Sequence, residues 1–246
     1  MTLPTDAQRE AVRQRPSGFS VGHQRWRDLL FAHWEVAPAQ VQATLPRGLH
    51  CDTHEGRAYV GIVPFFMERI RPAFLPPLPW LSWFLELNVR TYVHDERGVP
   101  GVWFYSLDCN QPLAVLIARR FFRLPYFHAR MTARRNGGVI DYRCARHGSR
   151  EAHYRWTAAG DTRPAAPGSL EFFLLERYVL FATDAGGGIY HGRVHHEPYR
   201  FEATQAEALS TEPARLAGFD LKGEPCSVLA AGPVDVEIFK LRRAQA

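Results

Sequence analysis

The chain has 246 residues, 46% hydrophobic and 22% charged, which fits one globular domain and excludes a disordered or fibrous protein. Its net charge of +5 is carried by scattered arginines in no run longer than two, the pattern of an Arg-preferring genome, so no nucleic-acid-binding stripe is expected. Only Lys222 and Lys240 are lysines. One sits in a polar L-K-G-E-P turn and the other close to the C-terminus, neither in the desolvated pocket that a Schiff-base amine needs.

Residues 1–18 read as a polar N-terminal arm with one helical turn from Asp6 to Arg13, stopped by Pro16 and Gly18. It has no apolar leader segment, and the four cysteines are far apart with no C-x-x-C pair, so a cytoplasmic protein is expected. Residues 19–246 read as a single domain. After the aromatic run W-R-D-L-L-F-A-H-W-E-V, Pro38 opens a short helix with Val41 and Leu45 on one face, ended by Pro46 and Gly48. Leu49–Cys51 and Ala58–Phe66 read as strands around the turn D-T-H-E-G-R. A proline-rich loop comes next, then a long hairpin of Phe84–His94 and Gly101–Asp108. Pro112–Phe122 and Gly168–Tyr178 read as helices, the second capped by Ser169. Hairpins are expected at R-R-N-G-G and D-A-G-G-G, and a last strand at Val234–Leu241. The apolar stretch Ala73–Leu87 contains three prolines and Glu86, so no membrane span is expected.

The segment from Trp83 to Met131 carries the chemistry. Alternation along F-L-E-L-N-V-R-T-Y puts Phe84, Glu86, Asn88, Arg90 and Tyr92 on one strand face. Such a face is either open to solvent or lines a polar cavity. In a cavity, Glu86 is a candidate general acid or base, and Arg90 a candidate to depress its pKa or to hold a ligand carboxylate. After Pro125, Tyr126, His128 and Arg130 share a face, with Tyr126 either a proton donor or a packed structural tyrosine.

The strings W-R-D-L-L-F-A-H-W, V-G-I-V-P-F, F-L-E-L-N-V-R-T-Y-V, A-R-R-F-F-R-L-P-Y, E-R-Y and V-H-H-E-P-Y span nearly the whole chain, which in them resembles the bacterial YqjF-like, DUF2071 family. The order of elements also resembles the acetoacetate decarboxylase superfamily. That resemblance implies an α+β fold: a cone-shaped β-barrel of mostly antiparallel strands around a buried cavity, with a few short helices. Carried over to this chain, the superfamily's pocket arginine falls on Arg27 and its pocket glutamate on Glu86. The Schiff-base motif G-R-E-x-x-x-[FY]-P-K becomes A-R-R-F-F-R-L-P-Y, so Tyr126 stands where the lysine would be and Phe127 where its neighbouring lysine would be. A second pocket glutamate has no acid to match it in Ala58–Val63. A tyrosine cannot form an imine, so the resemblance implies the cavity without the Schiff-base chemistry.

The site expected from these readings is Glu86 and Tyr126 for acid/base chemistry, with Arg27, Arg90 and His128 binding a small ligand, such as an organic acid. No cofactor is expected. A metal is not expected at His191, His195 and His196, because Arg193 lies between the first two. The proline-rich loop reads as a lid or rim of the cavity, with an ordinary packed loop, a dimer contact or a membrane-surface contact as alternatives. Three function classes stay open: an acid/base enzyme on a small keto acid, a non-catalytic binder of such a ligand, and a structural protein. A homo-oligomer is compatible with all three.

Overall fold

A computed structural model describes residues 3–244. Seventeen strands and five short α-helices are found among the described residues. Strands β1 (Gly22–Arg27) and β2 (Leu29–Val36) run along successive halves of β4 (Ala58–Pro72), which is why β4 continues beyond the expected Phe66. The other edge of β4 pairs with β5 (Phe84–Asp95), and β5 with β6 (Pro100–Cys109), all antiparallel, as the hairpin pattern predicted. The first half of β6 then takes β11 (Val179–Thr183) as a parallel neighbour. From β11 the pairing passes to β12 (Ile189–His195), to β16 (Val234–Ile238) and back to β1. The pairings therefore form a closed circuit.

Glycine makes one of these junctions possible. A Cβ on Gly101 would lie 2.7 Å from both the Phe181 ring and the Val179 carbonyl oxygen, so any larger residue would hold β11 away from β6.

A second, antiparallel sheet is built from β7 (Tyr126–Asn136), β8 (Val139–Arg146), β9 (Ala152–Thr157) and β14 (Ala206–Leu209). Its apolar side, including Met131, Tyr142 and Trp156, packs on Leu85, Leu87 and Val89 of β5 and on Ala32 and Ile62 of β2 and β4. The opposite face of the same strands looks into the circuit. There Phe31, Phe65 and Cys109 meet Val194, Val236 and Ile238 from the far side. Both faces of β5 are thus covered, and all of its residues are buried.

The helices are shorter than the sequence predicts. The expected Pro112–Phe122 helix is α-helical only over α3 (Pro112–Ile117) and winds as a π-helix over Ala118–Phe122. The helix capped by Ser169 is α4 (Leu170–Leu175), which stops before Glu176. Burial of polar groups explains that stop, because Glu176 bonds the Tyr178 hydroxyl and the Tyr199 amide, and Arg177 reaches Asp52. The N-terminal arm does form its helical turn, α1 (Asp6–Ala11), with a Thr5–Gln8 capping box. It is anchored by Arg9, which reaches fully buried Asp52 at 2.6 and 2.7 Å. The polar reading of the arm omitted this ion pair because Asp52 is 43 residues away in sequence.

Candidate functional site

The alternation read from β5 is the alternation observed. Cross-strand register puts Phe65, Glu86 and Cys109 side by side on the inner face. Glu86 is 3% exposed and its carboxylate accepts a 2.8 Å hydrogen bond from the Tyr126 hydroxyl. Tyr126 arrives there because β7 begins as a parallel neighbour of β6, with Leu107 beside Tyr126. The bend that leads into it combines Arg123 at φ 55 with Pro125. Two residues far apart in sequence thus meet at one point inside the circuit.

Burial sets the protonation of this pair. It pushes Glu86 up to about 8; the Tyr126 hydrogen bond pulls the other way, and Asp108 adds to the rise. Near neutral pH, Glu86 is therefore largely a neutral carboxylic acid. Burial, and then the Glu86 carboxylate, hold Tyr126 well above the ordinary tyrosine range, so it stays a hydroxyl. This corrects the expectation that Arg90 would depress Glu86.

Arg90 shares the inner face but is engaged further along it. Its guanidinium donates to the Leu174 carbonyl at 2.9 Å and to the Tyr92 hydroxyl at 3.4 Å, and it lies over the Phe31 ring. Tyr92 donates to the same carbonyl and pairs with His33 at 2.7 Å. Burial and then Arg90 hold His33 well below the usual histidine range, so its ring is neutral. Between the two ends lies Asn88. Its Oδ1, the Nε of Arg90 and the Nδ1 of His33 are buried without a hydrogen-bond partner among the described residues. Two of them are acceptors and one is a donor.

Arg27 does not join them. It pairs across the strands with Phe66, which stands beside Leu85, so it occupies the face opposite Glu86. There it bonds Glu68 at 2.7 Å and Asp28, and lies over the Phe66 ring. The placement of Arg27 in the pocket is corrected by this register. The backbone at Asp28 takes φ 51, which separates β1 from β2, and the inner positions become Trp26, Leu29 and Phe31. His128 is also corrected. It shares the alternation of Tyr126 but is exposed, because β7 pairs with β6 only as far as His128 before turning into the second sheet.

Other participants were missed as site residues. Asp108 is 1% exposed on the opposite side of β6 and is held by Arg146. Tyr142, from the second sheet, donates to the Glu86 backbone carbonyl at 2.8 Å. The signal for Asp108 was an acid ending an otherwise apolar strand, G-V-W-F-Y-S-L-D. Tyr142 carried none. Two clefts are present elsewhere, one of about 480 Å³ between α1 and residues 195–198, and one of about 410 Å³ beside Arg69 and Arg71. Neither is lined by Glu86 or Tyr126.

Solved structures share this arrangement of strands. The enduracididine biosynthesis enzyme MppR, complexed with the condensation product of pyruvate and imidazole 4-carboxaldehyde, superposes with a TM-score of 0.64 at 13% identity, over 92% of this chain and 90% of that one. An acetoacetate decarboxylase-like enzyme from Sphingomonas wittichii RW1 gives 0.63 at 17%, over 94% and 96%. Acetoacetate decarboxylase from Legionella pneumophila gives 0.64 at 12%, over 100% and 97%. The fold is therefore acetoacetate decarboxylase-like, mostly strand with few helices. The chain belongs to the DUF2071 family, described as an uncharacterized conserved protein, whose profile matches residues 23–235. It is 40% identical over 194 residues to the uncharacterized protein YqjF of Bacillus subtilis (strain 168), covering 78% of this chain and 79% of that one.

Proposed function

We propose that the closed circuit of strands is a cone-shaped barrel whose interior takes a small carbonyl compound, a keto acid being the favoured class. Glu86 is the general acid, Tyr126 orients it, and Arg90, through its unpartnered Nε–H, holds a ligand oxygen. The observation that carries this reading is the 2.8 Å Tyr126–Glu86 hydrogen bond, at the position where the resemblance puts a Schiff-base lysine. A protonated carboxyl fixed by a tyrosine can give its second oxygen's proton to a carbonyl oxygen, polarising it without an imine. The pyruvate-derived ligand of MppR supports the choice of ligand class. Lys222 points away from such chemistry, since it is exposed and paired with Asp220 at 2.6 Å. A cytoplasmic location and unpaired thiols belong to the same proposal.

The second reading is a binder that does not turn its ligand over. It is favoured by the absence of a second acid beside Glu86 on the inner face of β4, where residues 59–65 carry none. Both readings are tested by titrating pyruvate and acetoacetate into the protein and following binding by calorimetry and turnover by NMR. Enzyme chemistry predicts that Glu86→Gln abolishes turnover and leaves affinity within about tenfold. A pure binder shows a change of affinity alone. Failure of either acid to bind, or a borohydride-trapped adduct on Lys222 or Lys240, refutes the proposal.

A further inference from the structure

The proline-rich loop and the helix after β6 are not used by the interior site, and together they form an unusual surface. Phe74 is 88% exposed, Trp80 64%, Leu75 57% and Trp83 41%; from the helix, Leu116 is 64% and Phe121 66% exposed. The two segments touch, since the Gln111 side chain donates to the Trp80 carbonyl at 2.9 Å. Four of these six side chains are aromatic, each with roughly 150–250 Å² of surface to bury, and large exposed apolar surface marks an interaction site.

Its charge is one-sided. Arg69, Arg71, Arg119 and Arg120 flank the apolar side chains, and residues 69–83 and 110–127 contain no Asp or Glu. Among the described residues, none of these four arginines forms a salt bridge. Asp235 and Glu237 line the same cleft as Arg69 and Arg71, where they pair with Arg25 and Arg15 instead.

The geometry points to a docking surface for a lipid bilayer with anionic headgroups, Phe74 and Trp80 entering the interface and the arginines meeting phosphates. Charge decides for this occupant. A second copy docking through the same two segments sets a basic surface against a basic surface, with no carboxylate in residues 69–83 or 110–127 to answer the arginines. An anionic leaflet answers both parts: aromatic side chains settle at the headgroup level, and juxtaposed basic groups add binding at about fivefold each. Among the described residues no helix is long and apolar enough to cross a membrane; the contact proposed is a peripheral one. The helix leads through Arg123 into Tyr126, which places the docked surface next to the interior site in the chain.

The test is sedimentation of the full chain with phosphatidylcholine vesicles, with and without phosphatidylglycerol, alongside light scattering of the protein alone. Binding to the anionic vesicles is expected, weakened by salt and not displaced by free glycerol phosphate. Phe74→Ser with Trp80→Ser should remove it. Arg69→Gln with Arg120→Gln, two side chains without hydrogen-bond partners among the described residues, should lower it about 25-fold. Absence of binding to anionic vesicles overturns the proposal, as does unchanged binding of both double variants. A dimer dissolved by the Phe74 and Trp80 changes, with no vesicle binding, assigns the patch to a second copy instead. Ligand titration of the same variants reads the interior site separately.

Discussion

Replacing Glu86 by glutamine should stabilise the protein at neutral and alkaline pH, although it removes a charged residue type from the centre of the fold. Glu86 has a folded pKa of about 8 against 4.5 in the open chain. Between these values the folded state keeps the proton and the unfolded state has lost it. Stability therefore falls as pH rises from about 4.5 through about 8, and levels off above. From pH 5 to pH 8 this one group costs about 3 to 4 kcal/mol. Glutamine has the shape of the protonated acid and still accepts from the Tyr126 hydroxyl, so it keeps the hydrogen bond and removes the titration. Urea unfolding across this pH range should show a declining midpoint for the native protein and a flatter one for Glu86→Gln. The two should differ most at pH 8 and by less than about 1 kcal/mol at pH 5. Equal slopes, or a glutamine variant less stable at pH 8, would show that Glu86 is ionised in the fold and would remove its role as an acid.

Tyr126→Phe deletes the hydrogen bond that draws the Glu86 pKa down, so the pH at which stability levels off should move up, with a loss of about 1 kcal/mol measured in the same titration. Asp52→Ala leaves Arg9 and Arg177 buried without their carboxylate and should cost about 3–5 kcal/mol in thermal or urea unfolding. Burial alone would raise the Asp52 pKa, but Arg177 and Arg9 overcome it and hold it below its ordinary value. The stability it supplies is present above the ordinary aspartate range and is lost as pH falls through the depressed folded value. Iodoacetamide on the native protein should label exposed Cys226 first and spare Cys109, whose thiol burial pushes up to about 12; early labelling of Cys109, detected by peptide mass spectrometry, would contradict the closed interior.

Features that depend on local periodicity were legible in the sequence. A period of two along β5 is enough to place Glu86, Asn88, Arg90 and Tyr92 on one face, because a strand has no other way to point its side chains. Turn chemistry is equally local, so the R-R-N-G-G and D-A-G-G-G hairpins and the Ser169 cap could be read as well. The missing lysine needed only a single position. Whether the polar face of β5 is wet or enclosed is not local. It depends on β11 closing onto β6 over Gly101 and on β16 closing onto β1, contacts between segments far apart in the chain. Once those close, Glu86 loses its water and its pKa rises, an outcome opposite to the one its arginine neighbour suggested. Arg27 shows the same limit from the other side. The family resemblance placed it in the pocket, but one positive φ at Asp28 and the register against Phe66 send it outside. Side-chain direction within a strand is fixed by the backbone's own geometry, whereas burial and protonation are fixed by what the rest of the chain places over it.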